Sequence, residues 1–141
     1  LTKLKQLRDE FGISLLYITH DLATAHQISD RIFIMYRGRA VEVGNASTVI
    51  QHPQHPYTQL LISSIPRPDP EKPWQGKIEI PLEELTPGTD RSGCLYRHRC
   101  PHIMPKCAVK PPYYKGKRGQ SIACYLYEDG EEISPESEHF S

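Results

Sequence analysis

Five residues in this chain of 141 stand out for chemistry: four cysteines and one histidine. The cysteines follow the spacing Cys94-x5-Cys100-x6-Cys107-x16-Cys124. Disulfides would need an oxidising compartment, and no basic-then-apolar N-terminus marks the chain for export. Structural zinc usually draws on Cys-x2-4-Cys pairs, because two thiolates on one tight turn make half a tetrahedron. No such pair occurs here. A [4Fe–4S] cluster takes one thiolate at each iron, so wider spacings suit it, and Pro101 after Cys100 resembles ferredoxin-type runs. Both metal readings stay open on spacing alone. His20 follows a short apolar run, Ile13-Ser14-Leu15-Leu16-Tyr17-Ile18-Thr19. That run reads as a strand buried on both faces of a parallel sheet, and ligands gather at the C-terminal edge of such sheets.

Charge separates the cysteine region from its surroundings. The chain has 17 Lys+Arg and 17 Asp+Glu, so its formal net charge is zero, which argues against a globally basic nucleic-acid binder. From Arg91 to Tyr127 there are eight Lys/Arg and no carboxylate, and from Glu128 to Ser141 six Asp/Glu and no Lys/Arg. Four thiolates are anionic beyond what a metal offsets, and a cationic block would stabilise the excess. Contact with nucleic acid, using Tyr113 and Tyr114 as stacking surfaces, is the competing use of the same block. The acidic end reads as a solvated tail.

The elements that must position these residues follow from pattern. Leu4, Leu7 and Phe11 lie at helical spacing over Thr2 to Phe11, with Gly12 as the stop. Asp21 can cap a helix from Leu22 to about Ser29. Arg31 to Tyr36 and Ala40 to Val43 read as a hairpin turned at Arg37-Gly38-Arg39 and ended by Gly44. Asn45-Ala46-Ser47 caps a short helix through Ile50, and Pro56 opens another to Ser64. Ten of the 13 prolines lie between Pro66 and Pro112. The run Pro-Arg-Pro-Asp-Pro-Glu-Lys-Pro from Pro66 predicts a polyproline arm, with one short strand at Lys77 to Pro81. From Gly93 to Cys124 periodicity disappears, and so few aliphatic residues remain that a cross-link is needed to hold a shape.

Three ordered blocks resemble one protein family. Ile18-Thr19-His20-Asp21-Leu22 is similar to the switch-histidine segment of ABC-transporter ATP-binding subunits. Met35-Tyr36-Arg37-Gly38-Arg39-Ala40-Val41-Glu42-Val43-Gly44 resembles the hairpin that follows it there. Val49-Ile50-Gln51-His52-Pro53-Gln54-His55-Pro56-Tyr57-Thr58-Gln59-Leu60-Leu61, then Gly93-Cys94, Arg99-Cys100-Pro101, Cys107, Pro111-Pro112 and Ala123-Cys124, resemble the C-terminal extension of the oligopeptide, dipeptide and nickel importers.

The resemblance covers about residues 1–127 and implies an α/β chain. It would be the C-terminal fragment of a P-loop-type ABC ATPase domain followed by a small irregular Cys-rich metal-binding lobe. The divisions expected are 1–65 for the ATPase part, 66–90 for the Pro-rich arm, 91–127 for the iron–sulfur lobe and 128–141 for the acidic tail. His20 would be the switch histidine at the γ-phosphate. Cys94, Cys100, Cys107 and Cys124 would hold a [4Fe–4S] cluster, with zinc as the alternative.

ATP and Mg would belong to the full-length parent alone. This sequence has no Gly-x4-Gly-Lys-Ser/Thr loop, no Leu-Ser-Gly-Gly signature, and no Asp-Glu pair after an apolar strand upstream of His20. The implied partners are membrane-spanning permease subunits and a second ATPase subunit, at the cytoplasmic face of the membrane, with no nucleic acid. A truncated sheet also implies a homodimer of the fragment. The alternative function is a stand-alone metal-binding interaction module, built on the four cysteines and without ATPase activity.

Overall fold

The computed structural model describes residues 2–65 and 91–134. The polyproline arm and the strand expected at Lys77 to Pro81 lie outside the described residues, as does most of the acidic tail. Helix α1 (Thr2–Phe11) ends at Gly12, whose φ of 62° suits glycine. Its apolar residues Leu4, Leu7 and Phe11 are exposed. Arg8 ties it to the next helix, donating from Nη1 to Asp30 Oδ2 at 3.2 Å and to the Ile28 carbonyl at 3.4 Å.

The strand expected at Ile13 to Thr19 does not form. Residues 13–18 pair with no strand among the described residues, and Leu16 and Ile18 are 89% and 88% exposed. A strand exists only through ladder bonds to a neighbour, and apolar β-propensity without that neighbour leaves an extended segment. Helix α2 (Leu22–Ile28) starts where expected. The Asp21 carboxylate accepts from the amides of Ala23 at 3.0 Å and Thr24 at 3.2 Å.

The hairpin is present and longer than its apolar pattern suggests. Strand β1 (Arg31–Tyr36) pairs antiparallel with β2 (Arg39–Asn45). Arg37 and Gly38, with φ of 48° and 82°, make the turn, as a two-residue loop with two positive φ values must. Ile32, Ile34 and Tyr36 face inward, while Phe33 and Met35 face out. Asn45 ends β2 and caps α3 (Ala46–Gln51) through its side-chain oxygen. Helix α4 (Pro56–Ser63) carries Pro56 in its first turn.

The cysteine region is not a separate body. Short strands β3 (Tyr113–Lys115), β4 (Ser121–Ile122) and β5 (Glu132–Ile133) extend the hairpin into one antiparallel sheet of order β1-β2-β4-β3-β5. Glu42 pairs with Ile122 and Val43 with Ser121. Three further strands thus form where no two-residue period is legible. They are too short to show one, and their partner is remote in sequence. Tyr96 lies in the core with Ile32, Ile34, Tyr36, Val41 and Val49, and Cys94 and Cys100 pack against that cluster. The rings of Tyr36, Tyr57 and Tyr96 meet at centroid distances of 4.7–5.4 Å, so aromatic area supplies the burial that aliphatic residues do not.

Strand β2, flanked on both sides, is buried from Val41 to Gly44. It nevertheless carries Glu42, which is fully buried. The carboxylate accepts from the Gln54 amide at 3.1 Å on each oxygen and from the His55 amide at 2.8 Å. Burial raises the pKa of Glu42, and these donors oppose the rise. Around it, Gln120 donates to the His52 carbonyl at 2.8 Å, Gln54 Nε2 to Gln120 Oε1 at 2.9 Å, and Tyr127 Oη to the Gln54 carbonyl at 2.6 Å. His55, 1% exposed, caps α4 by accepting the Tyr57 amide at Nδ1, at 3.0 Å.

Burial pulls the pKa of His55 down to about 4 from 6.5. A depressed histidine stabilises the fold above its unfolded pKa and loses that contribution as the pH falls through the folded value. We expect the His55-dependent stability of the metal-free chain to drop between about pH 6.5 and pH 4, by roughly 3 kcal/mol in all. Denaturant midpoints of wild type and His55→Asn across that range should converge on acidification. Parallel curves would show that burial does not depress His55.

Candidate metal centre

All four cysteines line a single cavity, together with His55 and Tyr96. Chain turns bring them there. The Cys94 amide donates to the Cys107 carbonyl at 2.9 Å, which clamps the first and third cysteine segments together. Gly93 makes the clamp possible, because a Cβ at this position would collide with the Cys107 carbonyl oxygen and with the Arg97 guanidinium. The turn Arg97–Arg99 leads into Cys100, and the turn Pro105–Ala108 holds Cys107. Cys124 lies two residues past the end of β4, and the intervening Ala123 amide donates to the Val41 carbonyl at 2.9 Å. Two arginines lock the region onto the hairpin. Arg39 donates to the carbonyls of Gly93 at 3.0 Å and Arg91 at 2.7 Å, and Arg91 donates to the Arg37 carbonyl at 2.9 Å.

One sulfur, that of Cys100, accepts the backbone N–H of the residue two positions on, His102, at 3.4 Å. Such a donor favours thiolate over thiol and helps set the properties of any metal held there. Burial acts the other way. It pushes the thiols of Cys94 and Cys100 up, and that of Cys124 up to about 11. The four cysteines are unbridged. Without a cation, Cys94, Cys100 and Cys124 therefore hold their protons at neutral pH, and metal binding must release them.

Among the described residues, no group of three or more His, Cys, Asp or Glu side chains is placed to hold a metal ion. The metal-binding lobe expected from the sequence is thus corrected in form. It is a shared cavity built onto the sheet, not a ready ligand set for a metal.

His20 stands apart from the cavity. It is exposed, at the junction of the unpaired segment and α2. Tyr113 Oη donates to the Ala40 carbonyl at 2.7 Å and Tyr114 is buried, so neither ring offers a stacking surface for nucleic acid. The cationic block is answered in part by the chain's own acidic end. Lys106 pairs with Glu128, and Lys115 lies 3.9 Å from Glu131. Residues 128–134 lie along the block through the β3–β5 pairing while staying almost entirely exposed to solvent.

Two buried residues have no place in the chemical reading of the sequence. Glu42 is signalled by a carboxylate inside the apolar run Ala40-Val41-Glu42-Val43-Gly44, and His55 by its place just before a helix-opening proline.

Comparison with known proteins bears on the whole arrangement. Residues 41–107 match the family described as oligopeptide/dipeptide transporter, C-terminal region. The chain is 43% identical over 122 residues to the oligopeptide transport ATP-binding protein OppF of Salmonella typhimurium, covering 86% of this chain and 36% of that protein. OppF of Escherichia coli K12 gives the same identity and coverage. OppF of Haemophilus influenzae is 41% identical over 123 residues, covering 86% of this chain and 37% of that protein. The chain thus spans a little over a third of the length of these relatives. Over most of its length the chain is therefore similar to the C-terminal part of oligopeptide transport ATP-binding proteins, and its residues 41–107 match the C-terminal region of the oligopeptide/dipeptide transporter family.

Proposed function

We propose that this chain is the C-terminal portion of an ATP-hydrolysing subunit that energises peptide import by an ABC transporter. The similarity to oligopeptide transport ATP-binding proteins over most of the chain carries this reading. It leaves little to the stand-alone metal-module alternative. Permease subunits and a second ATPase subunit are the proposed partners, at the cytoplasmic face of the membrane. Among the described residues no helix is long and apolar enough to cross a bilayer. The exposed apolar residues of 13–18 are the surface that the rest of an ATPase sheet would cover. Residues 1–65 then act as the ATPase part, 66–90 as the arm, 91–127 as the cysteine region and 128–141 as the acidic end.

His20 is proposed as the switch histidine. Its exposure after the 13–19 segment suits a donor that meets a γ-phosphate bound by other parts of the protein. Cys94, Cys100, Cys107 and Cys124 are proposed to hold a [4Fe–4S] cluster. What supports this is that the four cysteines line one cavity, and a [4Fe–4S] cluster takes one thiolate at each iron. Bound there, it would cross-link four segments of a region poor in aliphatic residues. Its part is structural, and no electron transfer follows from it.

Two outcomes test this reading. Loaded anaerobically with iron and sulfide, the chain should turn brown with broad visible absorbance, lost when the four cysteines are changed to serine. A colourless protein binding one zinc per chain would overturn the cluster. The 141-residue chain should show no ATP turnover above that of His20→Ala, since it lacks the phosphate loop. Turnover that depends on His20 would overturn its assignment as part of a divided site.

A further inference from the structure

The His55 ring stands between two structures that it joins. Its Nδ1 accepts the Tyr57 amide at 3.0 Å, so that nitrogen carries no proton. A neutral imidazole so held keeps its hydrogen on Nε2, which makes Nε2 a donor. The residue is 1% exposed, and it is held at its backbone amide by Glu42 at 2.8 Å as well as at Nδ1. His55 lines the cavity of the four cysteines, and its ring lies 5.9 Å from the Tyr96 ring, centroid to centroid. Among the hydrogen bonds of the described residues, none is donated by Nε2. The cavity that His55 borders is lined by four cysteines, whose sulfurs can accept.

We propose that His55 donates its Nε2–H to a sulfur of the iron–sulfur group in the cysteine cavity, as a positioning residue that tunes that group from outside its four ligands. The inference rests on the cluster reading above and adds a fifth residue to it. A donor aimed at sulfur stabilises the more negative, reduced state, so losing it lowers the reduction potential. The Glu42 carboxylate contributes by fixing the His55 backbone amide.

The test uses the full chain loaded with iron and sulfide under nitrogen, and reduced with dithionite. His55→Asn keeps a side-chain oxygen for the helix cap but is too short to reach the cavity. Its reduction equilibrium should fall about tenfold, a shift of about 59 mV for one electron. In protein labelled with 15N-histidine, the reduced cluster should show magnetic coupling to one ring nitrogen and to one proton exchangeable in D2O. Both couplings should persist in His102→Asn, the other histidine bordering the cavity, and vanish in His55→Asn. An assembled cluster with no histidine coupling, or with the same potential in wild type and His55→Asn, would overturn the role of His55 alone. Failure of the wild-type chain to assemble any cluster would overturn the underlying reading as well. If His55→Asn does not fold, the couplings of wild type and His102→Asn decide the matter.

Discussion

A carboxylate buried at the centre of the sheet constrains the rest of this structure. Glu42 lies on a strand flanked by β1 and β4, with no solvent contact and no cation among its hydrogen-bond partners. Burying such a group costs several kcal/mol unless it is well satisfied. The backbone of Gln54 and His55 supplies the compensation. Consequently the segment between α3 and α4 cannot move away from β2 without stranding an acceptor in the interior. Gln120 and Tyr127 extend the same network to the far side of the cysteine region.

That network explains how a region with few aliphatic residues takes a defined shape. Its polar anchors come from the hairpin side, through Arg39, Ala40 and Val41, and its apolar anchor is Tyr96 among the core tyrosines. The cavity is therefore framed from two directions. Cys94 and Cys100 hang from the aromatic core, while Cys124 follows the strand paired with β2. A group bound among the four sulfurs would join parts of the chain that the sheet has already brought close. Little ordering entropy would remain to be overcome at that step.

Much of this was legible in the residues, and the failures have physical causes. Local signals worked where the structure is local: Asp21 and Asn45 as caps, Arg37-Gly38 as a turn, Pro56 at a helix start. The segment at 13–19 failed because a strand is a property of a pair, and the described residues offer no partner. Strands β3 to β5 were hidden because two or three residues carry no period, and their pairing depends on β2 far upstream. The cysteines were conspicuous by type, but their convergence rests on long-range bonds such as Cys94 to Cys107. Glu42 and His55 were visible as residues and silent as partners. Only the fold shows that a strand carboxylate and a helix cap meet beside the cavity.

The central claim is that the cysteine cavity and the hairpin form one cooperative unit, joined along the β2–β4 seam. Amide hydrogen exchange of the full chain tests this most directly, read at Ala123, whose amide binds the Val41 carbonyl, against the amides of the β1–β2 pair. The account predicts that Ala123 exchanges at the slow rate of the hairpin, and that both respond together when denaturant is added. Rapid exchange at Ala123 beside a fully protected hairpin would contradict it.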